Sequence, residues 1–254
     1  MKILKKAMLS FLMVTTMSAG LSKSAFAGQE ILISAAASQT NAFTDIGKEF
    51  ESANPDVKVS FNFAASGALL QQIAQGAPVD VFASADLETM GKAKDKGAVD
   101  AQSIKNFAGN KLVLIAPKGS TVKGLNDLSG ESVKRIAVGK PESVPVGKYT
   151  KDALEKKGMW AGLEPKFIYA ESVRQALDYV SRKEVDAGFV YATDAAVAVD
   201  RVKVACEVGG HKPVVYPIAV VSSGKNSITA GKFIEYVLSV KGQAVLAKYG
   251  FTKP

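Results

Sequence analysis

Residues 31–63, ILISAAASQTNAFTDIGKEFESANPDVKVSFNF, hold one full cycle of an alternating strand and helix pattern. Ile31–Ser34 is a short apolar run that reads as a strand. Ala42, Phe43, Ile46 and Phe50 then recur at helical spacing, which sets one face of a helix against a core. Asn54-Pro55 stops that helix, because proline lacks the N–H a helix needs and pushes the preceding residue out of the helical region. Val57–Phe63 is the next strand. Strands interleaved with helices predict an α/β architecture with parallel strands.

The same rhythm extends outward. Leu69, Leu70, Ile73 and Ala74 form a helix ended by Gly76-Ala77-Pro78, Val79–Ala83 is a short buried strand, and Asp86 caps a helix through Met90 and Ala93. Leu112–Pro117 is a strand, followed by a turn-rich connection over Lys118–Arg135. Strands are expected at Ile136–Gly139, Phe167–Ala170, Ala187–Tyr191 and Val202–Cys206, with helices at Val146–Lys157, Val173–Arg182 and Thr193–Val199 between them. Val214–Val221 is a long apolar strand, and two helices close the chain. There is no fixed-period repeat and no polar stretch long enough to separate two independent domains.

Residues 1–27 read as a secretory signal: Lys2, Lys5 and Lys6, then an apolar run centred on Ser10–Met13, then Ala25-Phe26-Ala27 as a small-residue cleavage site. Gly28, not cysteine, follows, so a lipid anchor is not expected and the chain is expected free in a periplasm. The leader holds four of the 32 Lys and Arg and none of the 24 acids, which leaves the other 227 residues with a net charge of +4. Those charges are interspersed, with no basic stripe of the kind nucleic-acid binders carry. After residue 27 no apolar run nears the roughly 18 residues of a membrane span. The one cysteine, Cys206, reads as a small core residue.

Catalytic and metal signatures are sparse. His211, the single histidine, lies in Gly209-Gly210-His211-Lys212-Pro213, a turn-like loop away from any nucleophile elbow. One His and one Cys cannot build a transition-metal cation site. Neither a phosphate loop nor a dinucleotide fingerprint is present. What recurs is a small or hydroxylic residue where a strand hands over to a helix: Ser38, Ser66, Val146 in Val144-Pro145-Val146-Gly147, Val173 after Ser172, and Tyr191 before Thr193-Asp194. A helix start exposes unpaired N–H groups and the positive end of its dipole, so several facing one cleft suit an anion. Taken singly, each residue has an ordinary reading: Ser38 and Ser66 as N-caps, Val146 and Val173 as first-turn core residues, Tyr191 as core with its hydroxyl at the rim.

The sequence resembles the periplasmic molybdate-binding proteins of bacterial importers over essentially the whole chain after the leader. The resemblance is carried by Ala35-Ala36-Ala37-Ser38-Gln39-Thr40, Phe63-Ala64-Ala65-Ser66, Gly76-Ala77-Pro78 through Ser84-Ala85-Asp86, and Val144-Pro145-Val146-Gly147-Lys148-Tyr149. It continues in Glu171-Ser172-Val173-Arg174, Gly188-Phe189-Val190-Tyr191, Tyr216-Pro217-Ile218-Ala219-Val220 and Tyr249-Gly250-Phe251. It implies a two-lobed type II periplasmic binding protein fold, with two mixed-sheet domains and a ligand cleft between them. The first lobe would be 28–110 plus 221–254 and the second 111–220, with crossings near Asn110–Ala116 and Tyr216–Val221. By the same resemblance the ligand is molybdate or tungstate, its molybdenum held only as the oxyanion. Ser38, Ser66 and Tyr191 would give hydroxyls, and Val146 and Val173 backbone N–H groups. No cofactor and no catalysis are implied; the partners are an inner-membrane ABC permease with its ATPase, and the receptor is a monomer that binds no nucleic acid. A receptor for sulfate or another oxyanion, or an exported enzyme on the same fold, stays open at this stage.

Overall fold

The computed structural model describes residues 29–254. The expected export segment, 1–27, lies outside them. The chain opens with β1 (Gln29–Ala36), α1 (Thr40–Ala53), β2 (Val57–Ala64), α2 (Ser66–Ala74), β3 (Val81–Ala83), α3 (Leu87–Asp95) and β4 (Lys105–Asn110). It continues with β5 (Leu112–Pro117), β6 (Ile136–Gly139), α4 (Pro145–Lys156), α5 (Trp160–Leu163), β7 (Phe167–Ala170), α6 (Val173–Ser181), β8 (Ala187–Tyr191), α7 (Ala192–Ala196) and β9 (Val202–Glu207). The last elements are β10 (Val214–Val220), α8 (Ser227–Leu238) and α9 (Val240–Lys248).

These strands make two five-stranded mixed sheets, ordered β2-β1-β3-β10-β4 and β7-β6-β8-β5-β9. Within the first, β1 runs parallel to β2 and β3, and β10 is antiparallel to β3 and β4. The second repeats this plan: β6 is parallel to β7 and β8, and β5 is antiparallel to β8 and β9. Helices cover the sheets. Phe43 and Phe50 on α1 meet Phe233 of α8 edge-on, at ring separations of 6.0 and 5.3 Å, so the C-terminal helices pack on the first sheet.

One expected boundary is corrected. The return crossing was expected near Tyr216–Val221, with 111–220 in the second lobe, but β10 pairs with β3 and β4. The chain therefore passes back to the first sheet between Glu207 and Val214. The physical reason is that β10 is apolar throughout and buried on both faces, so its side chains carry no alternation that assigns it to one sheet. The outward crossing is a single residue, Lys111, between β4 and β5. β4, with Gly109 and two flanking asparagines, went unanticipated as a strand. It is held between β10 on one side and an isolated bridge from Gly109 to Thr252.

Candidate functional site

The carboxyl ends of parallel strands from both sheets meet at one cleft, where open α/β folds commonly bind ligands. The narrow cavity there, about 10 Å³, is lined from the first sheet's side by Ala36, Ala37, Ser38, Ala64, Ala65, Ser66 and Ala85, and from the second by Val144, Pro145, Val146, Val173 and Tyr191. All five residues singled out in the sequence thus line a single space. No charged side chain is among the lining residues.

Neither serine is a helix cap. Ser38 lies inside a 3-10 turn, Ala37–Gln39, and Ser66 is the first residue of α2, whose N-cap is Ala65 with no side-chain bond. Both hydroxyls are fixed from behind. Ser66 Oγ accepts the Ala85 N–H at 3.0 Å, and Ser38 Oγ lies 3.0 Å from the Tyr216 hydroxyl. Tyr191 Oη is fully buried and finds no partner among the described residues. Burial holds its phenol well above its ordinary pKa, so it remains a donor. Val146 and Val173 sit in the first turns of α4 and α6, where backbone N–H groups have no intrahelical acceptor. Gly147 is what lets α4 start so close to β6: a Cβ there would lie 2.0 Å from the Gly139 carbonyl oxygen.

The charges near the cleft are spoken for. Arg174 Nε lies 2.7 Å from Asp194 Oδ1. Asp194 is fully buried; desolvation raises its pKa to about 6 despite the opposing pull of Arg174. This pair ties the start of α6 to α7, so Val173 and Tyr191 are held relative to each other. Lys148 on α4 is largely buried and reaches across to α3, 3.3 Å from Glu88 and 3.8 Å from Asp86. The Gly67 N–H of α2 donates to the Ser143 carbonyl at 3.0 Å, a second bond between the two sides. Sequence reasoning missed these bridging residues and Tyr216, since nothing in their local pattern separates them from surface and core positions.

His211 behaves as a loop residue: its ring nitrogens approach the carbonyls of Lys212 and Val208, and it packs against Tyr149. Among the described residues no cluster of three His, Cys, Asp or Glu is placed to hold a metal cation, and no helix is long and apolar enough to cross a membrane. A wider groove runs along the amino-terminal half of β1, past Glu30, Leu32 and Asp80. Asp80 there already accepts from the N–H groups of Leu32 and Asn226, a structural role.

Residues 31–252 match the family described as bacterial extracellular solute-binding protein. The chain belongs to that family. This solute-binding protein is 43% identical over 231 residues to the molybdate-binding protein ModA of Escherichia coli, which covers 88% of this chain and 89% of the relative. It is 40% identical to a Bacillus subtilis chain named as an ABC transporter substrate-binding lipoprotein, over 87% of this chain and 86% of that one. The periplasmic molybdate-binding protein of Azotobacter vinelandii superposes with a TM-score of 0.79 at 23% identity, over 88% of this chain and 99% of the other, a likeness of fold. The relatives named here are binding proteins of transport systems or of molybdate, and the two-lobed α/β architecture agrees with the expectation from sequence.

Proposed function

We propose that this solute-binding protein captures molybdate, and tungstate with it, outside the cytoplasm and hands it to an ABC importer in the inner membrane. The observation that carries this reading is the convergence of Ser38, Ser66, Tyr191 and the starts of α4 and α6 on one cavity without charged lining. Residues 38, 66, 146, 173 and 191 are the ligand contacts under this proposal. The identity to a named molybdate-binding protein over nearly the whole chain supports the choice of anion. The receptor acts as a monomer free in the periplasm, with no catalytic step.

The energetics suffice. Hydrogen bonds to a charged partner contribute about 1.5–3 kcal/mol each, so five donors give ~8–15 kcal/mol gross. Ordering and loss of free motion remove several kcal/mol, which leaves a dissociation constant near or below micromolar within reach. A fully ionised tetrahedral oxyanion only accepts hydrogen bonds. Hydrogen phosphate also carries a proton that needs an acceptor, and no carboxylate lines the cavity to take it. Under this reading sulfate is rejected by size, because its smaller tetrahedron would leave donors on one side unpaired in a site spaced for molybdate.

Calorimetric titration of the purified protein with molybdate, tungstate, sulfate and phosphate tests the reading. Tight binding of molybdate and tungstate is expected. Tight binding of sulfate alone overturns the anion, and failure to bind any of the four overturns the receptor for oxyanions.

A further inference from the structure

Absence of a carboxylate is not enough to make a site donor-only, because a serine hydroxyl can accept as readily as it donates. Something must decide the direction of the Ser38 proton. Asn110, the last residue of β4, accepts the Lys111 N–H through Oδ1 at 2.9 Å, which fixes the orientation of its amide. Its Nδ2 then faces two oxygens, Thr193 Oγ1 at 2.8 Å and Tyr216 Oη at 3.2 Å, and donates to both. Tyr216 is fully buried, and burial keeps its phenol protonated. Its oxygen is already an acceptor from Asn110, and the neighbouring acceptor for its own proton is Ser38 Oγ at 3.0 Å. The reverse direction would strand a buried phenol proton without a partner, a state that folded proteins avoid.

We propose that Asn110 and Tyr216 form a relay that locks the Ser38 hydroxyl as a donor into the cavity. The protons run Asn110 Nδ2–H to Tyr216 Oη–H to Ser38 Oγ–H to the anion. Tyr216 is a positioning and specificity-determining residue that lies outside the lining. On the same wall the Ala85 N–H does the same for Ser66. The relay begins at the crossing between the sheets, and the Asn110 amide also holds Thr193 at the start of α7, just past Tyr191. The donor direction of Ser38 and the placement of the second side's hydroxyl therefore share one anchor.

This inference rests on the oxyanion reading above, and its test separates the two. Tyr216→Phe removes one oxygen from a shape that the core otherwise keeps. Ser38 Oγ then loses the donor that sets its direction, so its hydroxyl can rotate and accept a proton from hydrogen phosphate. Titration with molybdate and phosphate at constant pH is expected to give a molybdate dissociation constant raised about tenfold. The preference for molybdate over phosphate should narrow by a larger factor. In a Ser38→Ala background, Tyr216→Phe should change molybdate binding less than twofold, since the relay then ends on nothing. Asn110→Ala provides a second route: without the amide, the Tyr216 proton can turn to water in the space the amide leaves, Tyr216 can then accept from Ser38, and selectivity should narrow in the same direction even if Tyr216→Phe does not fold. Equal weakening toward all anions, or additive effects of Tyr216→Phe and Ser38→Ala, would assign Tyr216 to packing and overturn the relay. A wild type that binds molybdate while both variants retain its selectivity overturns the relay alone. A wild type that binds no tetrahedral anion overturns both.

Discussion

Gly67→Ala separates closure of the cleft from stability of the fold. Gly67 is the second residue of α2, and its N–H donates across the cleft to Ser143, three residues before Val146. A Cβ at 67 would lie 2.6 Å from the Ser143 carbonyl oxygen and 2.8 Å from its Cα. Both are backbone atoms, so the contact cannot be relieved by turning a side chain. Carbon and carbonyl oxygen settle at about 3.3 Å or more, so the two sides must stay roughly 0.7 Å further apart. Hydrogen bonds of 2.7–3.2 Å stretched by that amount are largely lost. Losing one or two bonds to a charged ligand costs about 2–5 kcal/mol, on the order of 30- to 3,000-fold in affinity. The ligand-free protein should melt where the wild type does or slightly higher, because alanine is the better helix former by up to ~1 kcal/mol. Calorimetric affinity and thermal melting, each with and without molybdate, measure the two effects. Gly91→Ala is the control, since a Cβ there meets nothing within 4 Å. Wild-type affinity in Gly67→Ala, or a ligand-free melt lowered as far as the ligand-bound one, would refute the reasoning.

Ser38→Ala and Ser66→Ala should each weaken molybdate by ~1–3 kcal/mol with little change in the ligand-free melt; unchanged affinity in both removes the serines from the site. Lys148→Met removes the reach from α4 to Glu88 and Asp86 while keeping much of the stem's packing, and is expected to speed molybdate release several-fold in stopped-flow displacement. Asp194 gives a pH signature. Its folded pKa of about 6 lies above the ordinary 3.8, so the folded state holds the proton more tightly, and this stabilisation is full below pH ~4 and lost as pH rises through 6. Asp194→Asn mimics the protonated form, so the stability of the variant relative to wild type should rise by up to ~3 kcal/mol between pH 4 and 7; denaturant midpoints that keep a constant gap over that range would contradict it.

The parts of this protein written as local periodicity were legible. The face of α1 made by Ala42, Phe43, Ile46 and Phe50 is buried as its spacing demands, and Asp86 caps α3 through the Thr89 N–H. Long-range assignment was not. The side chains of β10 are apolar on both faces, so its membership depends on which partners it finds, and that is settled by β3 and β4 in space. At the candidate site, the residues at strand-to-helix junctions could be named because such junctions have a local signature. Tyr216, Asn110 and Lys148 could not: a tyrosine in an apolar strand, an asparagine at a strand end and a lysine on a helix look ordinary until partners more than 50 residues away are brought to them.

A neutral cavity also explains why those distant partners are needed. Lysine or arginine in the cleft would attract an anion from any direction, but would leave a buried charge without its counterion whenever the ligand departs, at a cost of several kcal/mol. It would also accept any anion of similar charge. Hydroxyls and helix N–H groups avoid that penalty, and the helix groups come with a direction set by the backbone. The hydroxyls do not. A hydroxyl free to rotate would present a lone pair as often as a proton, and discrimination against protonated anions would fall accordingly. Using Ser38 and Ser66 as donors therefore requires a donor behind each oxygen, and both have one, Tyr216 and the Ala85 N–H. Selectivity in such a site resides as much in what saturates the serines as in the serines themselves.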